Sequence, residues 1–191
     1  MVVIGGSAGS LEVIIKILPS LQTNLGVPLI IVMHRRNGHE SSLTQLLSTK
    51  TALKVKEAEE KENILPGIIY LAPANYHLLI EDNFTFSLDD SEKVNFSRPS
   101  IDVTFECASE VCKSGLACIL LSGANADGVE GLKIVKKNNG IAAIQDPATA
   151  EVSFMPQQAY QNVAVDHIFK IGEIAQFIND FSDGDPLPVK D

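Results

Sequence analysis

Four short apolar runs punctuate the chain, and between them apolar residues recur at helical spacing. "VVI" ends at Gly5, "PLIIVM" at His34, "ACILL" at Ser122 and "IAAI" at Gln145. Such runs, rich in β-branched residues and closed by small or polar ones, read as strands buried on both faces. They predict strands over Val2–Ile4, Pro28–Met33 and Ala117–Leu121, with a fourth in "IAAIQDP". One helical stripe is Leu11, Ile14, Ile15 and Leu18, stopped by Pro19. Another is Ile101, Phe105, Ala108, Val111 and Cys112, opened by Ser100 as N-cap and closed at Gly115. "SSLTQLLSTKT" predicts a helix with Ser41 or Ser42 as N-cap, and "VEGLKIVKKNNG" one closed by Asn139-Gly140. "VAVDHIFKIGEIAQFINDF" predicts a short strand and a last helix.

Residues 53–88 break this rhythm. Short segments such as "GIIYLAP", "YHLLIED" and "NFTFSLD" alternate between turn residues, which predicts a β-meander or hairpin excursion. The polar stretch "DDSEKVNFSRPS" follows as a loop. Buried strands alternating with amphipathic helices give an α/β fold: a doubly wound, mostly parallel sheet with helices on both faces and the hairpin excursion added. The pattern predicts one domain over residues 1–181 and a frayed tail over 182–191, with no internal repeat or linker.

Composition narrows the functions. The chain has 191 residues, 45% hydrophobic and 20% charged, with net charge −9. The acid excess argues against nucleic acid and anionic membranes as partners. The N-terminus lacks the basic region of a signal peptide, and the longest apolar run, "VPLIIVM", is far too short to span a bilayer. Cys107, Cys112 and Cys118 form no CxxC pair. They read as buried free thiols in a reducing cytoplasm, and no His/Cys/Asp cluster has metal-ligand spacing.

In open parallel sheets ligands bind beyond the carboxyl ends of the strands. Ser7, His34 and Asp127 each follow such an end, so a nucleophile, a base and an acid meet at one edge. A serine hydroxyl needs an imidazole to take its proton, and the imidazole needs a carboxylate to fix its tautomer. In this arrangement Asp127 accepts the Nδ1–H of His34 and Nε2 is left for the serine. "GGSAG" also fits the G-x-S-x-G nucleophile elbow, with helix amides beyond it able to donate to an oxyanion. Another reading stays open at this level. "GGSAGS" could cradle a pyrophosphate, with His34, Arg35 and Arg36 holding a 2′-phosphate of an NADP-like cofactor. Asp127-Gly128 could be a plain turn, and His39, His77 and His167 have no evident partner.

The stretches "VIGGSAGS", "VMHRR", "YLAPANYHLLI", "FSRPSIDVTFECAS", "LSGANADGVEGL" and "QDPATAEVSFMPQQA" together resemble the catalytic domain of the CheB-type protein-glutamate methylesterases, from Val2 to about Phe181. The resemblance implies that Ser7 is the nucleophile, His34 the base and Asp127 the orienting carboxylate. It implies hydrolysis of γ-glutamyl methyl esters on the cytoplasmic helices of chemoreceptors, with glutamine deamidation in some members. It implies no metal and no organic cofactor. Ala8, Gly123 and Ala124 would form the oxyanion and substrate loop, and Arg35, Arg98, Pro99 and Ser100 would lie near the substrate cleft. Arg35, Arg36 and Arg98 are expected as edge cations facing an acidic receptor.

The chain departs from the family pattern in three ways. Ala8 stands where a threonine is common. Ala124 stands where a methionine is common, which removes a side chain from the oxyanion hole but leaves a backbone amide. The receiver domain that usually precedes this domain is not in the sequence; the chain is expected to be either a piece of a longer one, which the abrupt start at the first strand favours, or a stand-alone or multidomain relative, and a receiver domain or a sensor kinase is the expected partner in a full-length protein. Ala8 and Ala124 also support an alternative, a catalytically weak binding module for a receptor or kinase.

Overall fold

Val2, Val3 and Ile4 are all fully buried, yet they pack into two separate cores. Val2 and Ile4 join Leu29, Ile31, Ala117 and Ile119 on one face of the sheet. Val3 joins Ile30, Val32, Cys118 and Leu120 on the other. Strict alternation with no solvent-facing side is what a sheet between two helix layers demands. The computed structural model describes residues 1–34 and 40–184 of the chain.

Seven parallel strands form the main sheet: β1 Val2–Gly6, β2 Leu29–Met33, β3 Lys54–Glu57, β4 Ile68–Leu71, β7 Ala117–Leu120, β8 Ile141–Gln145 and β9 His167–Phe169. Their order is β3-β4-β2-β1-β7-β8-β9. Two more strands, β5 His77–Ile80 and β6 Phe86–Asp89, make a separate antiparallel hairpin. Helices α1 Ser10–Ile17, α2 Glu40–Ser48 and α6 Ile171–Asp183 cover one face. Helices α3 Ile101–Cys112, α4 Val129–Lys137 and α5 Phe154–Asn162 cover the other, together with the hairpin.

Four expectations need correction. The meander is only half a meander, because β3 and β4 pair in parallel and β4 lies beside β2. Ile69 and Leu71 enter one core while Tyr70 and Ala72 enter the other, so this segment is buried on both faces, as the parallel sheet requires. Helix α2 begins at Glu40, so Ser41 and Ser42 sit in its first turn instead of capping it. Helix α5 was not foreseen; Pro156 and a largely polar stretch mask its period. The last helix runs on to Asp183, two residues into the expected tail. Its final turn is tied down: Gly26 N–H donates to Ser182 Oγ at 2.6 Å, and Gln22 Nε2 donates to Asp183 at 2.8 Å. Residues 185–191 of the tail lie outside the described residues.

Candidate active site

Strand order converges three loops. The chain begins at the middle strand β1, builds outward through β2, then returns to add β7 on the other side of β1. The loops after β2, β1 and β7 therefore meet at the point where the winding reverses. Gly6 is in register with Met33, and His34 N–H donates to the Gly6 carbonyl at 3.3 Å. Ser7 and His34 thus leave adjacent strands side by side.

The turn at Ser7 is tight. Ser7 N–H donates to the Ser122 carbonyl at 2.9 Å, and Ser10 Oγ donates back to the Ser7 carbonyl at 2.6 Å. Gly9 has φ 80°, and a Cβ there would lie 2.7 Å from Ser122 Oγ, so only glycine lets β1 pass into α1 at this point. The Ser7 hydroxyl makes no hydrogen bond among the described residues.

His34 is tethered at both ring nitrogens. Its Nε2 meets Asp127 Oδ2 at 2.7 Å, and its Nδ1 accepts from Ser97 Oγ at 3.3 Å. This corrects the expected orientation: Nε2, not Nδ1, faces the carboxylate. Asp127 lies in the loop between β7 and α4, and the first amides of α3 hold its carboxylate where it meets Nε2.

Asp127 is fully buried and richly bonded. Its Oδ2 also accepts from Ile101 N–H at 2.7 Å. Its Oδ1 accepts from Ser100 Oγ at 2.8 Å, Asp102 N–H at 3.1 Å and Asn95 Nδ2 at 3.2 Å. The first amides of α3 thus point at this carboxylate, where a helix N-terminus favours negative charge. Burial alone would push the Asp127 carboxyl up, but the bonds from His34, the two amides and Ser100 together outweigh it and hold the group below its ordinary value.

A second carboxylate lies next door. Asp102 Oδ1 accepts from Gly128 N–H at 2.8 Å and Gly131 N–H at 2.7 Å, and its Oδ2 accepts from Asn95 Nδ2 at 2.7 Å. Burial first, and then the charge of Asp127, push Asp102 up to about 6 against the pull of the Gly131 and Gly128 amides. Environment has moved two like groups in opposite directions, Asp127 down and Asp102 up.

Other expected site residues take different places. Ser100 is the N-cap of α3 but is fully buried and donates to Asp127, so it supports the carboxylate and lines no open cleft. Pro99 is buried beside it. Arg98 is no free edge cation: its Nη1 donates to the carbonyls of Asp90 and Ser91 and pins that loop. Arg35, Arg36 and His39 lie outside the described residues. Gly123 N–H is occupied by the Val152 carbonyl at 3.0 Å. Ala8 and Ala124 are exposed, and their amides have no acceptor among the described residues.

His77, without an evident partner in the sequence, is buried and bonded. Its Nδ1 accepts from Ser100 N–H at 3.1 Å and its Nε2 donates to the Glu92 carbonyl at 3.0 Å. His167 packs between Phe169 and Phe177. Cys118 is fully buried, and burial drives its thiol well above the ordinary value; Cys107 is pushed up to about 12 for the same reason. Among the described residues no group of three His, Cys, Asp or Glu could hold a metal ion, and no helix is long and apolar enough to cross a membrane. The 2′-phosphate site of the NADP-like reading loses His34, whose imidazole is bound to a carboxylate.

Sequence reasoning missed Asn95, Ser97 and Asp102. The first two sit in a stretch that reads only as a polar loop. Asp102 left a faint signal, since helical spacing puts it on the same side as Phe105 and Ser109, and an acid there is turned inward.

Three comparisons bear on this site. Residues 2–178 match the family model described as CheB methylesterase. A Leptospira interrogans protein, named as a candidate protein-glutamate methylesterase/protein-glutamine glutaminase, is 48% identical over 175 residues, which is 92% of this chain and 91% of that protein. The protein-glutamate methylesterase/protein-glutamine glutaminase of Thermotoga maritima is 34% identical over 179 residues, covering 92% of this chain and 52% of the relative, so the chain spans about half of that protein. The crystal structure of the Thermotoga maritima CheB methylesterase catalytic domain superposes with TM-score 0.90 at 33% identity, covering 94% of this chain and 96% of that one.

Proposed function

The chain belongs to the CheB methylesterase family, and on that premise we propose that Ser7, His34 and Asp127 hydrolyse γ-glutamyl methyl esters on the cytoplasmic helices of chemoreceptors. Deamidation of glutamine at the same positions is the parallel reaction, since an amide passes through the same acyl-enzyme. The catalytic domain extends from residue 1 through the end of α6 at Asp183, and the substrate implies a cytoplasmic site of action. In the longer family members a receiver domain is the natural regulator.

The observation that carries this reading is the 2.7 Å contact between His34 and Asp127 at the sheet edge where Ser7 turns. Asp127, held ionised, fixes the proton of His34 on Nε2. The nitrogen left to accept a proton is Nδ1, so Ser97 must release it when the Ser7 hydroxyl swings in. Ser7 Oγ then attacks the ester carbonyl as Nδ1 takes its proton. The amides of Ala8 and Ala124 are the donors left for the oxyanion, and a backbone donor does not depend on the side chains lost at those positions. The imidazolium passes its proton to the departing methanol, and water repeats the sequence in reverse to free the glutamate. The route uses only side chains and amides of the chain itself.

One observation favours a second reading, a binding module of little activity: Ser7 makes no hydrogen bond to His34, whose Nδ1 is held by Ser97. A serine-directed phosphonate separates the two. The esterase labels once, at Ser7, and releases methanol from a methylated chemoreceptor fragment, whereas Ser7→Ala does neither. An unlabelled Ser7 in a wild-type chain that releases no methanol would leave the binding module.

A further inference from the structure

One phenylalanine stands almost wholly in water. Phe96 is 97% exposed, while the next large apolar side chains, Tyr160 and Leu65, are 54% and 52% exposed. Its backbone is strained as well. Val94 and Ser97 exchange hydrogen bonds of 3.2 and 2.9 Å, which closes a two-residue loop, and both central residues have positive φ: 51° at Asn95 and 63° at Phe96. This is the turn that prefers Asn-Gly. Asn95 obeys the preference; Phe96 stands where glycine belongs. A bulky residue in that region is an outlier. The position thus combines an unfavourable backbone with an uncovered aromatic ring, and neither helps the isolated fold.

The turn is fastened to the site on both sides of that residue. Asn95 Nδ2 reaches Asp102 at 2.7 Å and Asp127 at 3.2 Å, and Ser97 Oγ reaches His34 Nδ1 at 3.3 Å. Phe96 is therefore the outward tip of a loop whose two neighbours touch the reacting machinery. Val94, 38% exposed, extends the apolar tip. Phe84 also has positive φ, at 57°, but it is only 48% exposed and its carbonyl accepts from Ile64. What sets Phe96 apart is full exposure between two residues that themselves touch the site.

We infer that Phe96 is a recognition residue for the helix that carries the esterified glutamate: its ring packs on the apolar stripe of that helix while the ester reaches Ser7. This rests on the esterase reading above. The occupant is an amphipathic helix of the chemoreceptor bundle, because whatever presents an ester at this edge must lie along the tip adjoining Ser97. Strain of this kind persists only where the surroundings over-determine it and clusters at functional sites, and aromatic anchors dominate such contacts.

The test uses the purified methylated cytoplasmic fragment of a chemoreceptor as probe. With Ser7→Ala as background, so that nothing turns over, Phe96→Ala is expected to weaken binding roughly tenfold. Phe96→Gly should weaken it equally while raising Tm, since glycine relaxes the positive φ. With Ser7 intact, either change should raise KM on the fragment far more than it lowers kcat. The ratio of kcat/KM on the fragment to that on a small methyl ester should fall about as much as the binding does. Equal binding by the Ser7→Ala and doubly substituted chains overturns the inference, as does a Phe96→Gly chain with lowered Tm, which would make the ring structural. A wild-type chain that binds the fragment but releases no methanol would instead remove the esterase reading and leave Phe96 judged by the binding pair alone.

Discussion

Asp102 and Asp127 cap each other's helices. Asp127, which precedes α4, accepts the first amides of α3, and Asp102, in the first turn of α3, accepts the first amides of α4. Asn95 Nδ2 bridges the two carboxylates. The acid bonded to His34 is thus also a structural element joining two helices, so its substitution has two separable effects.

Asp127→Asn should lower both activity and stability. Asparagine has one acceptor oxygen where Asp127 uses two, and its amide would face the Ile101 N–H or the Ser100 hydroxyl. We expect a loss of about 2–4 kcal/mol in denaturant unfolding. At a temperature where the variant is folded, kcat should still fall by roughly 10²–10³, less than the loss in a protease triad because an ester is easier to cleave. A stable variant with near wild-type kcat would remove Asp127 from the reaction.

Asp102 makes stability depend on pH in an unusual direction. Its carboxyl is pushed up to about 6 in the folded chain, so between its unfolded value and 6 the folded state holds a proton that the unfolded state has released. Its contribution is complete below its unfolded value and declines as pH rises through 6, by at most about 3 kcal/mol. Asp127 runs the opposite way, contributing at neutral pH and losing that contribution as pH falls. Unfolding free energies of the wild type and Asp102→Asn at pH 4, 5, 6 and 7 should show the wild-type advantage shrinking as pH rises. A growing advantage would contradict the raised carboxyl.

Ser97→Ala should speed the reaction. The Ser97 hydroxyl occupies Nδ1 of His34 at 3.3 Å, and releasing a bond of this kind costs about 0.5–1.5 kcal/mol. Without it, kcat on a small ester should rise roughly two- to fivefold. A large fall in kcat would assign Ser97 to transition-state binding.

Gly131→Ala tests how closely α3 and α4 pack. A Cβ at 131 would lie 2.7 Å from Phe105 Cβ and 3.0 Å from the Asp102 backbone. Alanine favours helix by about 1 kcal/mol, but overpacking costs roughly 1–3 kcal/mol. We expect a net lower Tm with a larger fractional loss in kcat than in helix content, because the shift moves Asp102 away from the Gly131 N–H.

The strands were legible because a segment buried on both faces leaves an unbroken apolar run, as "VVI" and "ACILL" do. Strand ends alone place Ser7 beside His34 and bring the Asp127 loop to the same edge, without side-chain detail. Partner choice is another matter: nothing in "GIIYLAP" states that it lies parallel to β2 rather than in a hairpin, since alternation encodes faces and not neighbours. Ring orientation was equally out of reach. Which nitrogen of His34 meets Asp127 is set by side-chain packing between distant loops, which no spacing in the sequence records. Ser100 was readable as an N-cap from its position, but its bond to Asp127 required the distant loop to be in place.

The sheet order has a consequence for how activity arises in time. Ser7 and His34 are made within the first strands of the chain, whereas Asp127 comes from a loop 93 residues beyond His34 and reaches it only when β7 pairs with β1. During synthesis the proposed nucleophile and base therefore precede their acid. Esterase activity should appear late in synthesis, after β7 has paired with β1. A nascent chain that stops short of β7 carries an unarmed serine.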